Sequence, residues 1–131
     1  MVVYVATKKW TWSLFCGYLF CVLAVTVLTR SAELKMSFQL KPFWSYTDWE
    51  RQQWQVLANV IMFIPIGMTL GKELRWKGIA IAAFCSVVIE IIQLISHRGL
   101  CEFDDVFHNT VGAIIGIFIV GLIEGLFVKQ K

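Results

Sequence analysis

The charges of this 131-residue chain are gathered into short blocks, and the uncharged runs between them are as long as a bilayer is thick. Residues 10–29 and 52–71 are each twenty residues without an ionised side chain. At about 1.5 Å of rise per residue, either run crosses a hydrocarbon core of roughly 30 Å as a helix. Two further runs, 78–96 and 106–128, have the same character and carry one glutamate each, Glu90 and Glu124. An apolar content of 58% against 16% charged residues excludes an ordinary soluble domain. The expectation is an all-α integral membrane protein, a four-transmembrane-helix bundle with helices at about 10–29, 55–71, 78–97 and 105–128 in one domain, 1–131.

The first run opens like a secretory leader, with Lys8 and Lys9 before the apolar stretch. It exceeds the roughly 7 to 15 residues of a leader core, and Arg30 stands where a small-residue cleavage site belongs, so it reads as a membrane span. Cys16, Cys21 and Cys85 lie inside spans and only Cys101 in a loop, a placement of small apolar packers and not of a disulfide framework.

Orientation follows from the loop cations. With the N-terminus inside, segments 1–9, 72–77 and 129–131 hold seven basic residues in eighteen, and the outer segments 30–55 and 97–105 hold five in thirty-five. The positive-inside bias places both termini in the cytoplasm, and the net charge of +3 reports that orientation and no nucleic-acid partner. Trp10, Trp12, Trp44, Trp49, Trp54 and Trp76 all fall at span ends or in loops, as interfacial anchors do. The loop between the first two helices alternates Met36, Phe38 and Leu40 with polar neighbours and continues through Pro42, Phe43, Trp44, Tyr46 and Trp49. It is expected to lie along the outer headgroups, as a short strand, a short helix or neither.

Against this background the polar residues inside the spans carry the information, because an ionisable group in hydrocarbon is costly. Glu90, Gln93 and His97 fall within about 60° of one another on a helix, a stripe leading to Arg98. The fourth span opens with Asp104 and Asp105, followed by His108 and Asn109, and Asp105, Asn109, Gly112 and Gly116 share one face. Gly112/Gly116 and Gly121/Gly125 are GxxxG pairs, suited to close helix packing or to a homodimer. The second span adds Asn59 near its outer end and Pro65 in its middle, where a kink and a freed Ile61 carbonyl are expected. Alternating span directions bring these polar residues to the outer half. Glu124 lies at the opposite end, where it meets water or Lys129. No HExxH or paired-cysteine spacing supports a metal, and no cofactor is expected. The plain alternative is that such groups only bond across the bundle and fix which helices meet.

The string Asn59, Phe63, Pro65, Gly67, then Glu90 and Gln93, then Arg98, then Asp105, Asn109, Gly112 and Gly116 resembles the VanZ family of bacterial membrane proteins in order and spacing. The resemblance covers about residues 55–120. It implies a multi-pass protein of the bacterial plasma membrane, related to one associated with resistance to the glycopeptide teicoplanin, and it implies no particular reaction.

Three functions are then in view. The first is an envelope factor whose outward polar pocket, built from Asn59, Glu90, Gln93, Arg98, Asp104, Asp105 and Asn109, binds a lipid-linked cell-wall precursor, a lipid head group or a glycopeptide. The second is a membrane enzyme acting on a lipid head group, with Glu90 as general base and Asp105 or His108 as its partner. The third is a proton-coupled transporter using an intramembrane carboxylate.

Overall fold

The computed structural model describes residues 2–28, 38–99 and 101–128. They form helix α1 (Val2–Leu28), a two-residue strand β1 (Phe38–Gln39), a 3-10 turn at Trp44–Tyr46 and helix α2 (Trp49–Leu74). A second 3-10 turn (Arg75–Lys77) leads into α3 (Gly78–Ile95), a short strand β2 (Cys101–Glu102) and α4 (Phe103–Val128). Three helical segments are long and apolar enough to cross a membrane: Lys9–Leu28, Trp49–Ile95 and Phe103–Gly125, the middle one comprising α2, its turn and α3. The burial pattern is that of a membrane protein, with Trp10, Phe20, Trp54 and Phe84 outside and Glu90, Gln93, Asp104 and Asn109 inside.

The helices start and stop away from the limits expected of uncharged runs. α1 begins at Val2 and includes Lys8 and Lys9, and α2 begins at Trp49, six residues before the expected 55. A helix needs no apolar residues beyond the bilayer surface, so hydropathy marks where the lipid ends and not where the helix does. The loop between α1 and α2 is part strand, part turn and part helix: β1 pairs in parallel with β2, Phe38 opposite Cys101 and Gln39 opposite Glu102. Arg30, Glu33, Lys35 and Met36 lie outside the described residues.

α3 ends in a Schellman motif, with the Arg98 N–H bonded to the Gln93 carbonyl at 2.9 Å and the His97 N–H to that of Leu94 at 3.2 Å. His97 takes the left-handed position, φ 54°, where glycine is usual. His97 therefore caps the helix in solvent and does not extend the Glu90 and Gln93 stripe. α2 stays helical through Pro65. The Thr69 hydroxyl donates to the carbonyls of Pro65 and Ile66, at 3.2 and 2.8 Å.

α2 and α4 run side by side in the same direction, Asn59 level with Asp105 and Gly71 level with Ile117. Their contact is made by glycines. A Cβ at Gly67 would land on the Ala113 carbonyl, one at Gly112 on the Val60 carbonyl, and one at Gly116 on the Ile64 carbonyl. Phe63, Ile66, Leu70, Ala82, Ile89 and Ala113 fill the centre, and α1 adds Phe15 and Val22. The Gly112/Gly116 pair is thus covered by α2 of the same chain, whereas a Cβ at Gly121 or Gly125 meets nothing within 4 Å.

Candidate functional site

At the end where α3 finishes and α4 begins, the polar side chains of α2, α3 and α4 meet inside the bundle. Asn59, Glu90, Gln93, Asp104, Asp105, His108 and Asn109 are all buried there. Arg98 is half-buried just past the end of α3. A bare carboxylate in such a place is unstable, so the informative question is what each one holds.

Asp104, fully buried, accepts the backbone N–H of Phe43 at 2.6 Å, that of Ser45 at 2.9 Å, and the Ser45 hydroxyl. It pins the loop between α1 and α2 to the first turn of α4. Asp105, one residue on and facing α2, accepts the Asn59 amide at 2.7 Å and the Gln55 amide at 3.1 and 3.2 Å. Gln55 also lies 3.4 Å from the Glu102 carboxylate. Glu90 accepts the Glu102 backbone N–H at 3.0 Å, strapping α3 to the segment that enters α4. One turn deeper, Asn109 donates to the Ser86 hydroxyl at 2.8 Å.

An aromatic layer covers this cluster. The Tyr46 hydroxyl and His108 Nε2 are 2.9 Å apart, the Tyr46 ring stacks on Trp49 with a 4° interplanar angle, and Phe43 meets Phe107 edge-on. Beside Trp49 opens a surface groove of about 270 Å³, lined also by Gln53, Trp54, Leu57 and Val60. Trp49 links this groove to the buried cluster through its stack on Tyr46, whose hydroxyl meets His108.

Not every buried polar group is spent. Both amide atoms of Gln93, Asn109 Oδ1, His108 Nδ1 and Trp44 Nε1 are buried with no hydrogen-bond partner among the described residues. Gln93 is 1% exposed, so its whole amide is withheld from water with no partner among the described residues. Among the described residues no group of three or more His, Cys, Asp or Glu side chains is placed to hold a metal. Cys101, in β2 and half-buried, has its thiol pKa raised, first by burial and then by the carboxylates of Glu90, Asp105 and Glu102.

Every residue of the expected pocket except Arg98 is therefore buried at one end of the bundle. Sequence reasoning did not single out Gln55, Ser86, Ser45 or Tyr46. Gln55 sits one helical turn before Asn59 and Ser86 one turn before Glu90, so helical spacing alone marks both. Ser45 and Tyr46 carry no such signal, because their approach to Asp104 and His108 depends on how the loop folds back.

The profile of the VanZ/LLP1 family matches residues 15–124, from the first turns of the membrane part of α1 to near the end of α4. This chain belongs to the VanZ/LLP1 family. Within it, a relative named "Protein VanZ", from Enterococcus faecium, is 33% identical over 90 residues, which are 66% of this chain and 53% of the relative. This VanZ/LLP1 chain therefore spans about half the length of the curated relative it matches. No solved structure matches it.

Proposed function

We propose that this chain is a protein of the bacterial plasma membrane that crosses the bilayer four times, both termini in the cytoplasm, and binds an amphiphilic envelope molecule at its outward end. The ligand class is a lipid head group, a lipid-linked cell-wall precursor or a lipophilic glycopeptide. A contribution to teicoplanin resistance follows from the VanZ kinship.

The observation that carries this reading is the link, two contacts long, between an apolar groove and a buried polar cluster. Trp49 borders the groove and stacks on Tyr46, whose hydroxyl reaches His108. An amphiphile needs both an apolar bed and directed hydrogen bonds, and the unspent Gln93 and Asn109 groups supply the second. Arg98 adds a cation at the cluster's edge for a phosphate or carboxylate. The Glu90 carboxylate already takes the Glu102 amide, a strap between two segments, which favours binding over a general-base or proton-relay role.

The test is equilibrium binding of teicoplanin, a lipid-linked precursor and common phospholipids to the protein reconstituted in nanodiscs. Arg98→Ala and Trp49→Ala each weaken binding of the true ligand by about tenfold while the protein still inserts. Binding no stronger than to empty nanodiscs for every compound would end this reading.

A further inference from the structure

A second, separate cavity lies at the opposite end of the molecule. It measures about 500 Å³ and is lined by Arg75, Trp76, Ile117, Gly121, Glu124 and Gly125. It exists because α4 continues past Ile117, where Gly71 of α2 still touches it, with glycines at 121 and 125 that leave the surface notched. The notch is open, with Arg75, Trp76, Gly121, Glu124 and Gly125 all exposed, and a turn such as Arg75–Lys77, which joins two apolar helices, belongs at a lipid–water boundary. Trp76 in that turn is 61% exposed, as an interfacial anchor is, and Lys72 and Lys77 flank it.

The charges in the notch are one of each sign. Arg75 and Glu124 both line it, and neither side chain forms an ion pair or hydrogen bond with a described residue. A groove at headgroup depth with a guanidinium, a carboxylate and an apolar floor matches a molecule carrying a phosphate, a primary ammonium and an acyl chain. An anionic glycerol lipid satisfies the guanidinium but brings a negative charge beside Glu124 with no cation to meet it. A choline lipid supplies the right charges, yet its quaternary ammonium has no N–H to give the carboxylate.

We propose that this notch is a binding site for the headgroup of an aminophospholipid of the phosphatidylethanolamine type, its phosphate on Arg75 and its ammonium on Glu124, with an acyl chain lying over Gly121. The site is independent of the outer end. It gives the bundle a fixed lipid where α2 and α4 part, filling a face that the protein's own side chains leave open.

Native mass spectrometry of the purified full chain, titrated with ethanolamine, choline and glycerol phospholipids of identical acyl chains, tests this. The ethanolamine lipid is retained about tenfold better than the choline lipid, as one charge-assisted hydrogen bond implies. Glu124→Gln removes that preference and Arg75→Gln lowers retention of all three lipids. Gly121→Leu blocks the notch and lowers ethanolamine-lipid retention without touching either charge, with unchanged helical circular dichroism in all variants. Equal retention of the three lipids by the wild type, strongest retention of the glycerol lipid, or a preference that survives Glu124→Gln overturns the proposal. So does a wild-type dimer that Gly121→Leu dissociates while lipid retention stays the same, since the notch would then be an interface between copies.

Discussion

The two ends of the α2–α4 pair are held together by different physics. From Val60 to Ile117 the helices meet backbone on backbone, where Gly67, Gly112 and Gly116 admit the opposing main chain. Toward the Asn59 end the same helices are joined by side chains, Asn59 and Gln55 bonded to Asp105, while Asp104 reaches out to the loop. Lipid tails compete with apolar side chains on nearly equal terms, so helices in a bilayer are fixed either by close fit or by hydrogen bonds. This chain uses one device in each half. The glycine seam is a shape with no freedom to change. The polar end has buried donors and acceptors to spare among the described residues, the property that the proposed binding site requires.

Substitution in the seam breaks the comparison most severely. Gly116→Val places a branched side chain against the Ile64 carbonyl and the Met68 amide, both main-chain atoms that cannot swing aside. We expect a loss of about 3 kcal/mol or more, read as a shift in the unfolding midpoint in mixed micelles titrated with denaturing detergent. At the polar end, Asp104→Ala removes the acceptor of two backbone amides and a hydroxyl, so the loss is more local, about 2 kcal/mol. Its signature is faster proteolysis between residues 38 and 48 with the helical bundle intact. If the seam variant left stability unchanged, the glycines would not be the joint described here.

How far the sequence anticipates this arrangement differs by region for the same physical reason. The membrane-length segments are plain in the charge pattern because each is a statement about consecutive residues. Glu90, Gln93, Asp105 and Asn109 are visible because charge and amide are conspicuous in an apolar run. What Gly112 and Gly116 pack against is not visible, since a GxxxG face serves a neighbouring helix or a second chain equally well. His97 looked like the end of the Glu90 stripe only while the helix was assumed to continue; its left-handed backbone ends α3 and turns the ring into solvent. The clamp of Asp104 on residues 43–45 bridges about sixty residues and has no local signature.

A smaller effect sharpens the electrostatic side of the comparison. The Cys101 thiol stands beside Glu90, Asp105 and Glu102, and with burial they hold its pKa above the ordinary thiol value. The thiolate is the reactive form, so a raised pKa means less thiolate at a given pH, and removing a negative neighbour lowers the pKa. Glu102→Gln should therefore move the pH profile of Cys101 alkylation downward and raise its rate at pH 8 by about twofold. Peptide mapping after timed alkylation in micelles reads this, and an unchanged profile means the carboxylate field does not reach the thiol. Smallest of all is Gly121→Val, on the same helix as the seam but facing open space. It should alter stability by less than about 0.5 kcal/mol, which separates the packed glycine pair from the unpacked one.

Gln93 gives the most direct test of the proposal that the polar end is a binding site. Its amide is buried with no hydrogen-bond partner among the described residues, a state that lowers stability unless another group uses it. Gln93→Leu, measured for unfolding midpoint and for binding of the envelope ligand in the same preparation, should raise stability by about 1 kcal/mol while weakening binding about tenfold. A variant that is less stable and binds as well as the wild type would show that the amide serves the fold, and that the polar end is a second joint.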